Sequence, residues 1–144
     1  MARLRSIDFD YVETPPDPEL FPDFPDASTL SMVRVFALDG VPAIATRDRI
    51  VREFEGGRID PEPLRSIDTL VADVLAEAGV EFSWLEVELW AGDLDKAGRS
   101  LFDLSRLEPV IETRGVGYRA DSSRILVSRG TYRTKVVHLS LAVS

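Results

Sequence analysis

The fold is decided at residues 81–107, which read EFSWLEVELWAGDLDKAGRSLFDLSRL. The first part of this stretch alternates between two sets of side chains. Leu85, Val87, Leu89 and Ala91 fall on one side, and Trp84, Glu86, Glu88 and Trp90 fall on the other. A period of two is typical of a strand with one buried face. The stretch therefore predicts a strand that ends at the Ala91-Gly92-Asp93 corner.

The second part of the stretch changes its period. Asp93 suits the N-cap of a helix, and apolar residues then recur at three- and four-residue steps. These residues are Leu94, Ala97, Leu101 and Leu104. We therefore predict an amphipathic helix directly after the strand.

The composition is that of a soluble single domain. The chain has 144 residues, of which 44% are hydrophobic, so it can bury a core. A net charge of −8 argues against binding to a phosphate backbone, which draws on clustered Lys and Arg. Since there is no cysteine, disulfides and thiolate metal sites are excluded. No apolar run approaches about 18 residues and the N-terminus lacks the apolar core of a signal peptide, so we expect a cytosolic or assembly-associated protein without membrane contact.

Residues 1–30 are predicted to be an extended, proline-rich acidic arm, and residues 31–144 a single α+β domain. Five of the nine prolines lie in the arm, where they disfavour a helix or a central strand. Four aromatic residues are interleaved with them: Phe9, Tyr11, Phe21 and Phe24. Two interpretations follow, a strap packed on its own domain or an arm that orders on a partner chain. Residues 7–12 also alternate and could add an edge strand.

The next residues predict a hairpin. Residues 31–38, SMVRVFAL, have the alternation of a strand, and Asp39-Gly40 is a strong turn signal after it. Residues 41–46 are the expected returning strand. Residues 47–54 fit either a strand or a helix.

The clearest helix signal lies at residues 60–79. Asp60 suits the N-cap, and Pro61 suits the first helical position. An apolar stripe follows at Leu64, Ile67, Val71, Val74, Leu75 and Ala78. Gly79 then suits the end of the helix.

The C-terminal part of the chain predicts short strands. They are expected at residues 110–112, 116–119, 124–128 and 131–143, with breaks around Gly115 and Gly117 and a turn at Gly130. The sum is an α+β fold with a mostly antiparallel sheet of about five or six strands and two helices packed on one face.

We predict no catalytic, cofactor-binding or metal-binding residue, and hence no enzyme. His138, the only histidine, lies in the last predicted strand and opposite in phase to its apolar face. Glu86 and Glu88 share a strand face, which is more typical of a solvated or interface surface than of an acid–base pair. Gly115-Val116-Gly117 lacks the third glycine of a dinucleotide-binding loop.

Two surfaces predict contacts between chains. Trp84 and Trp90 share one strand face, and large exposed apolar side chains are typical of a surface that a partner covers. The C-terminal end is rich in arginine, whereas the first thirty residues are acidic, which suits either a head-to-tail contact between identical subunits or ordinary solvated hairpins. The predicted interface comprises Phe9, Tyr11, Phe21, Phe24, Trp84, Trp90, Arg114, Arg119 and Arg133.

Residues 110–120, VIETRGVGYRA, resemble the C-terminal wing of the winged-helix DNA-binding domains of response regulators. This resemblance implies a recognition helix at residues 100–107 and phosphate contacts from Arg99, Arg106, Arg114 and Arg119. It also requires residues 81–91 to be helical, although they alternate like a strand.

A longer stretch, residues 31–144, resembles the tail terminator (tail-completion) proteins of long-tailed bacteriophages. The likeness rests on the alternating strand with its Trp90-Ala91 pair, the helix directly after it, and the long final segment TYRTKVVHLSLAV. It implies a hexameric ring that ends the tail tube and contacts the head-completion protein, and it implies no catalytic residue.

From these observations we expect a structural protein of virion assembly, located in the neck region of the tail and in the host cytoplasm during assembly. The expected partners are identical subunits, the tail tube protein and the head-completion protein, with nucleic acid only as channel contents. The alternative functions are a winged-helix DNA-binding transcription regulator and a small acidic immunity or binding module.

Overall fold

The chain forms an α+β fold with one large antiparallel sheet and two helices, which confirms the predicted class. A computed structural model describes residues 4–137. The strands are β1 (Leu4–Thr14), β2 (Thr29–Leu38), β3 (Val41–Val51), β4 (Glu53–Phe54), β5 (Gly57–Arg58), β6 (Trp84–Asp93), β7 (Pro109–Tyr118) and β8 (Arg124–Arg133). The helices are α1 (Val71–Glu77) and α2 (Lys96–Leu101), with a 3-10 helix at Glu62–Arg65. Six strands form the main sheet in the order β1-β2-β3-β8-β7-β6, and β4 pairs with β5.

The hairpin between β2 and β3 confirms the turn predicted at Asp39-Gly40. Both residues have positive φ, 49° for Asp39 and 79° for Gly40. A two-residue loop of this kind matches the right-handed twist of the flanking strands. The open segment at residues 47–54 continues β3 as far as Val51, which makes β3 long enough to lie across the middle of the sheet.

The stretch at residues 81–107 forms a strand and then a helix, as predicted, but the corner lies later. Pairing of β6 with β7 continues to Asp93, which lies opposite Pro109, so Asp93 belongs to the strand. Asp95 is the N-cap of α2 instead, and its carboxylate accepts a 2.7 Å hydrogen bond from the Gly98 N–H. The predicted N-cap at Asp93 was therefore wrong by two residues, because cross-strand pairing extended the strand.

The single helix predicted at residues 60–79 is two helices with an extended break between them. Ser66 ends the 3-10 helix with an extended backbone (ψ 134°), and its carbonyl accepts a hydrogen bond from Arg34 of β2. The helix starts again at α1, where the Asp73 carboxylate accepts a 2.8 Å hydrogen bond from the Leu70 N–H. Gly79, with φ of 79°, follows α1 as predicted.

The two helices lie on opposite faces of the sheet, which corrects their expected placement on one face. Val74 and Leu75 of α1 pack into a core with Leu30, Met32 and Ile50 of the sheet. A second core on the other face joins Leu94 and Phe102, at the two ends of α2, to Ala45 and Val110. We call these the α1 face and the α2 face. Both faces of the central strands are buried in consequence.

The C-terminal strands are continuous where breaks were predicted. β7 passes through Gly115 and Gly117, and β8 passes through Gly130, which pairs with Thr46 on one side and Thr113 on the other. A Cβ on Gly130 would lie 2.5 Å from the Thr113 hydroxyl, so the glycine admits a close neighbour and does not turn the chain. The prediction of a strand at residues 131–143 holds as far as Arg133, and His138 lies outside the described residues.

Residues from the predicted arm take part in the sheet and its core. β1 pairs with β2 along its length, so the alternation at residues 7–12 does form an edge strand. Phe9 and Phe21 are buried, and the proline-rich residues are fixed by a 2.8 Å ion pair between Asp17 and Arg49 of β3. The division of the chain into folding units at residue 30 stays a prediction.

Candidate functional site

A cavity of about 560 Å³ lies on the α1 face, between the first residue of α1 and the strands at the β6 end of the sheet. Seven helical residues extend only about 10 Å, whereas six paired strands are roughly 24 Å wide. Among residues 4–137 no helix covers β6, and its Leu85, Val87 and Leu89 are 51%, 49% and 44% exposed. These three side chains form one wall of the cavity, which we call the sheet cavity.

The sheet cavity exists because small residues lie where β7 and β8 pass beneath it. Gly115 of β7 pairs with Ser128 of β8 and lines the cavity without a side chain. Gly117 lets the ring of Phe82 lie on the sheet, since a Cβ at Gly117 would be 2.5 Å from that ring. Phe82 thereby becomes a second wall.

Arg34 of β2 supplies the only positive charge among the described residues that line the cavity. Its side chain is 5% exposed, its guanidinium carbon lies 4.8 Å from the centroid of the Phe36 ring, and its Nη2 donates to the Ser66 carbonyl at 2.8 Å. Its Nε is buried and has no hydrogen-bond partner among the described residues. Burial also lowers the pKa of Arg34 from its ordinary value, an effect that the charge of Asp48 opposes. The site thus has a buried cation with one unused donor.

Asp48 of β3 is the matching acid, diagonal to Arg34 on the same face of the sheet. Met32 pairs with Asp48, and Arg34 pairs with Thr46. Arg34 and Asp48 therefore lie on the same face of adjacent strands, each two residues along from the other's pairing partner. Asp48 is 5% exposed, and burial raises its pKa from 3.8 to about 6. A hydrogen bond from Ser128 and the charge of Arg34 act against this rise. A carboxyl with such a pKa can change its protonation state near neutral pH.

Thr46 adds another unused polar atom to the same floor. Its hydroxyl is buried and has no hydrogen-bond partner among the described residues. Buried polar groups are nearly always hydrogen-bonded in folded proteins, and an exception calls for a functional explanation. Two such atoms, Arg34 Nε and Thr46 Oγ1, belong to side chains that line one cavity. The arrangement is suited to a ligand that carries acceptors for both.

The aromatic residues of the predicted interface pack within their own subunit. Phe9 stacks on Tyr11 with ring centroids 5.4 Å apart, and Phe21 is fully buried. Phe24 packs edge-on against Phe54, and the guanidinium carbon of Arg119 lies 5.0 Å from the Phe24 centroid. The structure thus places these side chains in intrachain contacts, and a role between chains stays a prediction.

The remaining predicted interface residues are spread over the sheet. Trp84 and Trp90 lie on the α2 face of β6 at 38% and 40% exposure, and Trp84 stacks on Tyr118. Arg114 is exposed on β7, whereas Arg133 is buried. Arg133 binds Glu108 through two hydrogen bonds of 2.7 and 2.9 Å. None of these residues lines the sheet cavity.

Arg34, Thr46 and Asp48 were not predicted as site residues from the sequence, although their position in the alternating pattern pointed to them. Each of them occurs in phase with apolar neighbours: Arg34 lies between Met32 and Phe36, and the other two lie between Ile44 and Ile50. A polar residue on the apolar side of an alternating strand predicts either a buried network or a binding site. Within residues 4–137 there is no group of three or more His, Asp or Glu side chains that could hold a metal ion. In the same range, no helix is long and apolar enough to cross a membrane.

Solved structures with the same fold are regulator domains. The chain aligns over its full length with 90% of the ligand-binding domain of a candidate GntR-family transcriptional regulator from Bordetella bronchiseptica, at a TM-score of 0.72 and 16% identity. It aligns over 96% of its length with 89% of the effector domain of PhnF from Mycobacterium smegmatis, at 0.69 and 15%. The alignment with a longer PhnF chain covers 64% of that chain. No protein-family model matches the sequence, and a search of curated proteins finds no match.

These comparisons overturn the resemblance to phage tail terminators. The structures found are transcriptional regulators or their domains, several of them described as GntR-family, and none supports a hexameric ring, a tail tube or head-completion partner, or a place in the virion. They agree better with the transcription regulator given as an alternative. Its winged-helix form is wrong, because residues 84–93 are a strand and the supposed wing is the continuous strand β7. The error arose because a strand, a helix and a further strand in succession occur in many unrelated α+β folds.

Proposed function

We propose that this chain is the ligand-binding domain of a transcription regulator, and that the sheet cavity is its ligand site. The observation that carries the proposal is a cavity of about 560 Å³ lined by Arg34 and Thr46, two side chains that each hold a buried polar atom without a hydrogen-bond partner among the described residues. Ligand sites are typically concave and mostly apolar, with a few polar groups that fix orientation. The fold likeness to domains described as ligand-binding and effector domains supports the same role.

The proposed role is recognition without catalysis. The titratable side chains that line the cavity are Arg34, Asp48 and Tyr132. Ser128 lies beside Asp48, but no histidine or lysine accompanies them among the described lining residues, so the hydroxyl has no general base of the usual kind. A regulator needs binding that changes its conformational preference, and such a site supplies binding alone.

Filling the cavity with one side chain is expected to abolish ligand binding while the fold is kept. A Cβ on Gly115 would have its nearest contact at 3.6 Å, from Leu85, so Gly115→Leu can enter the cavity without a clash at its first atom. A screen of small metabolites by thermal shift should find compounds that raise the Tm of the wild type. The same compounds should leave the Tm of Gly115→Leu unchanged.

The control is Gly92→Leu in the neighbouring strand. Gly92 pairs with Val110 on the α2 face, and a Cβ there would meet its nearest neighbour only at 3.9 Å. This variant adds the same side chain away from the cavity and should keep the ligand response. Compounds that stabilise Gly115→Leu as much as the wild type would place the ligand site elsewhere.

The described domain is not expected to bind DNA by itself. The whole chain has a net charge of −8, and the described residues 100–107 contain only the end of α2, so they provide no recognition helix of a winged-helix domain. Gel retardation of duplex DNA at low salt should therefore show no shift at micromolar protein. A shift that weakens steeply with salt would restore DNA binding as the function of this chain.

A further inference from the structure

We propose that the ligand of the sheet cavity is a molecule with an apolar body and one carboxylate, which binds Arg34 while Asp48 takes up a proton from solvent. This inference rests on the proposed function and adds the chemical class of the ligand. It follows from the unused donors of two lining side chains, the nature of the walls and the balance of charge among the lining residues.

The unused donor of Arg34 favours a ligand with an anionic head group. Nη2 is engaged by the Ser66 carbonyl, which holds the guanidinium in place, while Nε is left without a partner. An N–H of a guanidinium is satisfied best by a carboxylate or phosphate oxygen. The Thr46 hydroxyl, on the residue paired with Arg34, is free to donate to the same group.

The apolar walls of the cavity favour a ligand with an apolar body. Beyond the polar floor, the cavity is bounded by aliphatic and aromatic side chains, among them Leu85, Val87, Leu89 and Phe82. These side chains offer no hydrogen-bond partners, and the other polar lining residues, Thr113, Ser128 and Tyr132, are few, so a sugar with many hydroxyls would lose much of its hydration without compensation. Apolar carbon placed there gains about 25 cal/mol for each Å² removed from water.

The charges of Arg34 and Asp48 favour a ligand with one negative charge, bound together with a proton on Asp48. With Asp48 ionised, Arg34 is already neutralised, and a ligand carboxylate would add an excess negative charge in a buried site. With Asp48 protonated, the ligand takes the place of the Asp48 charge and the site stays neutral. A phosphate dianion would exceed the single cation of the floor, and the monoanion that predominates in acidic solution has no apolar body to fill the space between the walls.

The groups around Asp48 leave Arg34 as its only charged neighbour in the cavity. From β2 it faces Arg34 and Met32, from β8 it faces Ser128, and the α1 side presents Leu70 and Val71. Tyr132 is the other titratable lining residue. The 3-10 helix carries Arg65, which is paired with Glu62 at 2.7 Å. The pKa of Asp48, about 6, therefore reflects burial first, then the hydrogen bond from Ser128 and the charge of Arg34, which is the one charge that a ligand at Arg34 would change.

The test compares acids with their uncharged amides. Octanoate and 4-phenylbutanoate, octanamide and 4-phenylbutanamide, and inorganic phosphate are titrated into the protein while the backbone amide shifts of Val87 and Ser128 are followed by NMR. At pH 5.5 we expect each acid to bind at least tenfold more tightly than its amide and phosphate not to bind. Above pH 6 the affinity for the acids should fall by up to tenfold per pH unit, because the proton on Asp48 becomes harder to retain.

Two variants assign the effect to the two residues. Arg34→Met should abolish the preference for acid over amide, and Asp48→Asn should keep the preference but remove its pH dependence. If Arg34→Met does not fold, Thr46→Val should still weaken the acids several-fold and leave the amides unchanged.

The outcomes separate this inference from the proposed function. Acids and amides that bind at Val87 and Ser128 with equal affinity would overturn the carboxylate proposal and leave the cavity as a ligand site. A preference for acids that persists in Arg34→Met would also overturn it. If none of the four organic probes shifts these amides at millimolar concentration, the carboxylate inference fails, and the Gly115→Leu comparison alone decides the assignment of the site.

Discussion

Replacing Arg133 by methionine is expected to lower the free energy of unfolding by about 3–5 kcal/mol, the usual cost of removing one partner of a buried ion pair. Arg133 and Glu108 are 9% and 7% exposed and are joined through Nε and Nη2 to the two carboxylate oxygens. The same guanidinium donates to the Pro42 carbonyl at 2.7 Å and lies over the Phe102 ring. Arg133 therefore connects β8, the start of β3, the residue before β7 and the end of α2.

A double variant separates the stabilisation by the ion pair itself from the cost of leaving one buried charge unpaired. Combining Arg133→Met with Glu108→Leu removes the isolated carboxylate, so the double variant should recover much of the loss, as buried pairs replaced by apolar residues often do. Urea denaturation of the wild type, both single variants and the double variant measures this. Glu53→Gln, at an exposed 3.6 Å contact with Arg58, is the control and should change stability by less than about 0.5 kcal/mol. A double variant that loses the sum of the two single losses would contradict the argument.

The pH dependence of the unfolding free energy tests the Arg133–Glu108 pair independently. Arg133 holds the pKa of Glu108 below its ordinary value of 4.5. A carboxyl with a lowered folded pKa stabilises the fold above its ordinary pKa and loses that contribution as pH falls through the folded value. The difference in unfolding free energy between wild type and Arg133→Met should therefore be largest above pH 4.5 and should shrink in more acidic solution.

Much of the fold could be predicted because its signals are local. The alternation at residues 84–90 and the Asp39-Gly40 turn each depend on a few adjacent side chains, and both are present as expected. The break at Ser66 could not be predicted in this way. It depends on a hydrogen bond from Arg34, which is 32 residues away. Continuous pairing through Gly130 likewise depends on the register of three strands.

The candidate site was harder to predict than the fold, since it depends on that register. Arg34 and Asp48 are each an ordinary polar residue of a strand when considered alone. They become a site only because β2 and β3 place them diagonally on one face, next to a cavity whose other walls come from β6 and Phe82. The aromatic and arginine residues that composition made conspicuous are engaged in packing and ion pairs instead. A polar residue in the apolar phase of a strand was the more informative signal.

The fold also explains how the proposed ligand site and a stable core can share one sheet face. Leu30, Met32 and Ile50 lie under α1 and are fully or almost fully buried. A few residues further along the same strands, Phe36 and Ile44 line the open cavity. The buried residues that stabilise the fold thus lie under α1. The part of the face beside α1 can then hold the energetically unfavourable buried charges of Arg34 and Asp48. Functional sites commonly carry such unfavourable groups while the rest of the fold compensates.

Replacing Phe21 by alanine is expected to cost about 3–5 kcal/mol of unfolding free energy, the typical loss for a buried aromatic side chain. Phe21 is fully buried, although it lies among prolines in a segment without regular secondary structure. Its N–H donates to the Asp17 carbonyl at 2.8 Å, and the neighbouring Leu20 carbonyl accepts from Arg124 of β8. The hydrogen bond from Arg124 joins the proline-rich segment to the sheet, and loss of the buried Phe21 ring leaves a cavity that the restricted prolines cannot readily close.

Val12→Ala is the matched control, because Val12 lies in the same N-terminal part of the chain but is 58% exposed. It should change the free energy of unfolding by less than about 0.5 kcal/mol. Hydrogen exchange would locate the effect: in Phe21→Ala the amides of Phe21 and Phe24, which are bonded within the segment, should lose protection before those of β3. A loss below about 1 kcal/mol, with unchanged protection of these amides, would mean that the segment is not part of the folded core and would favour an arm that packs on a partner.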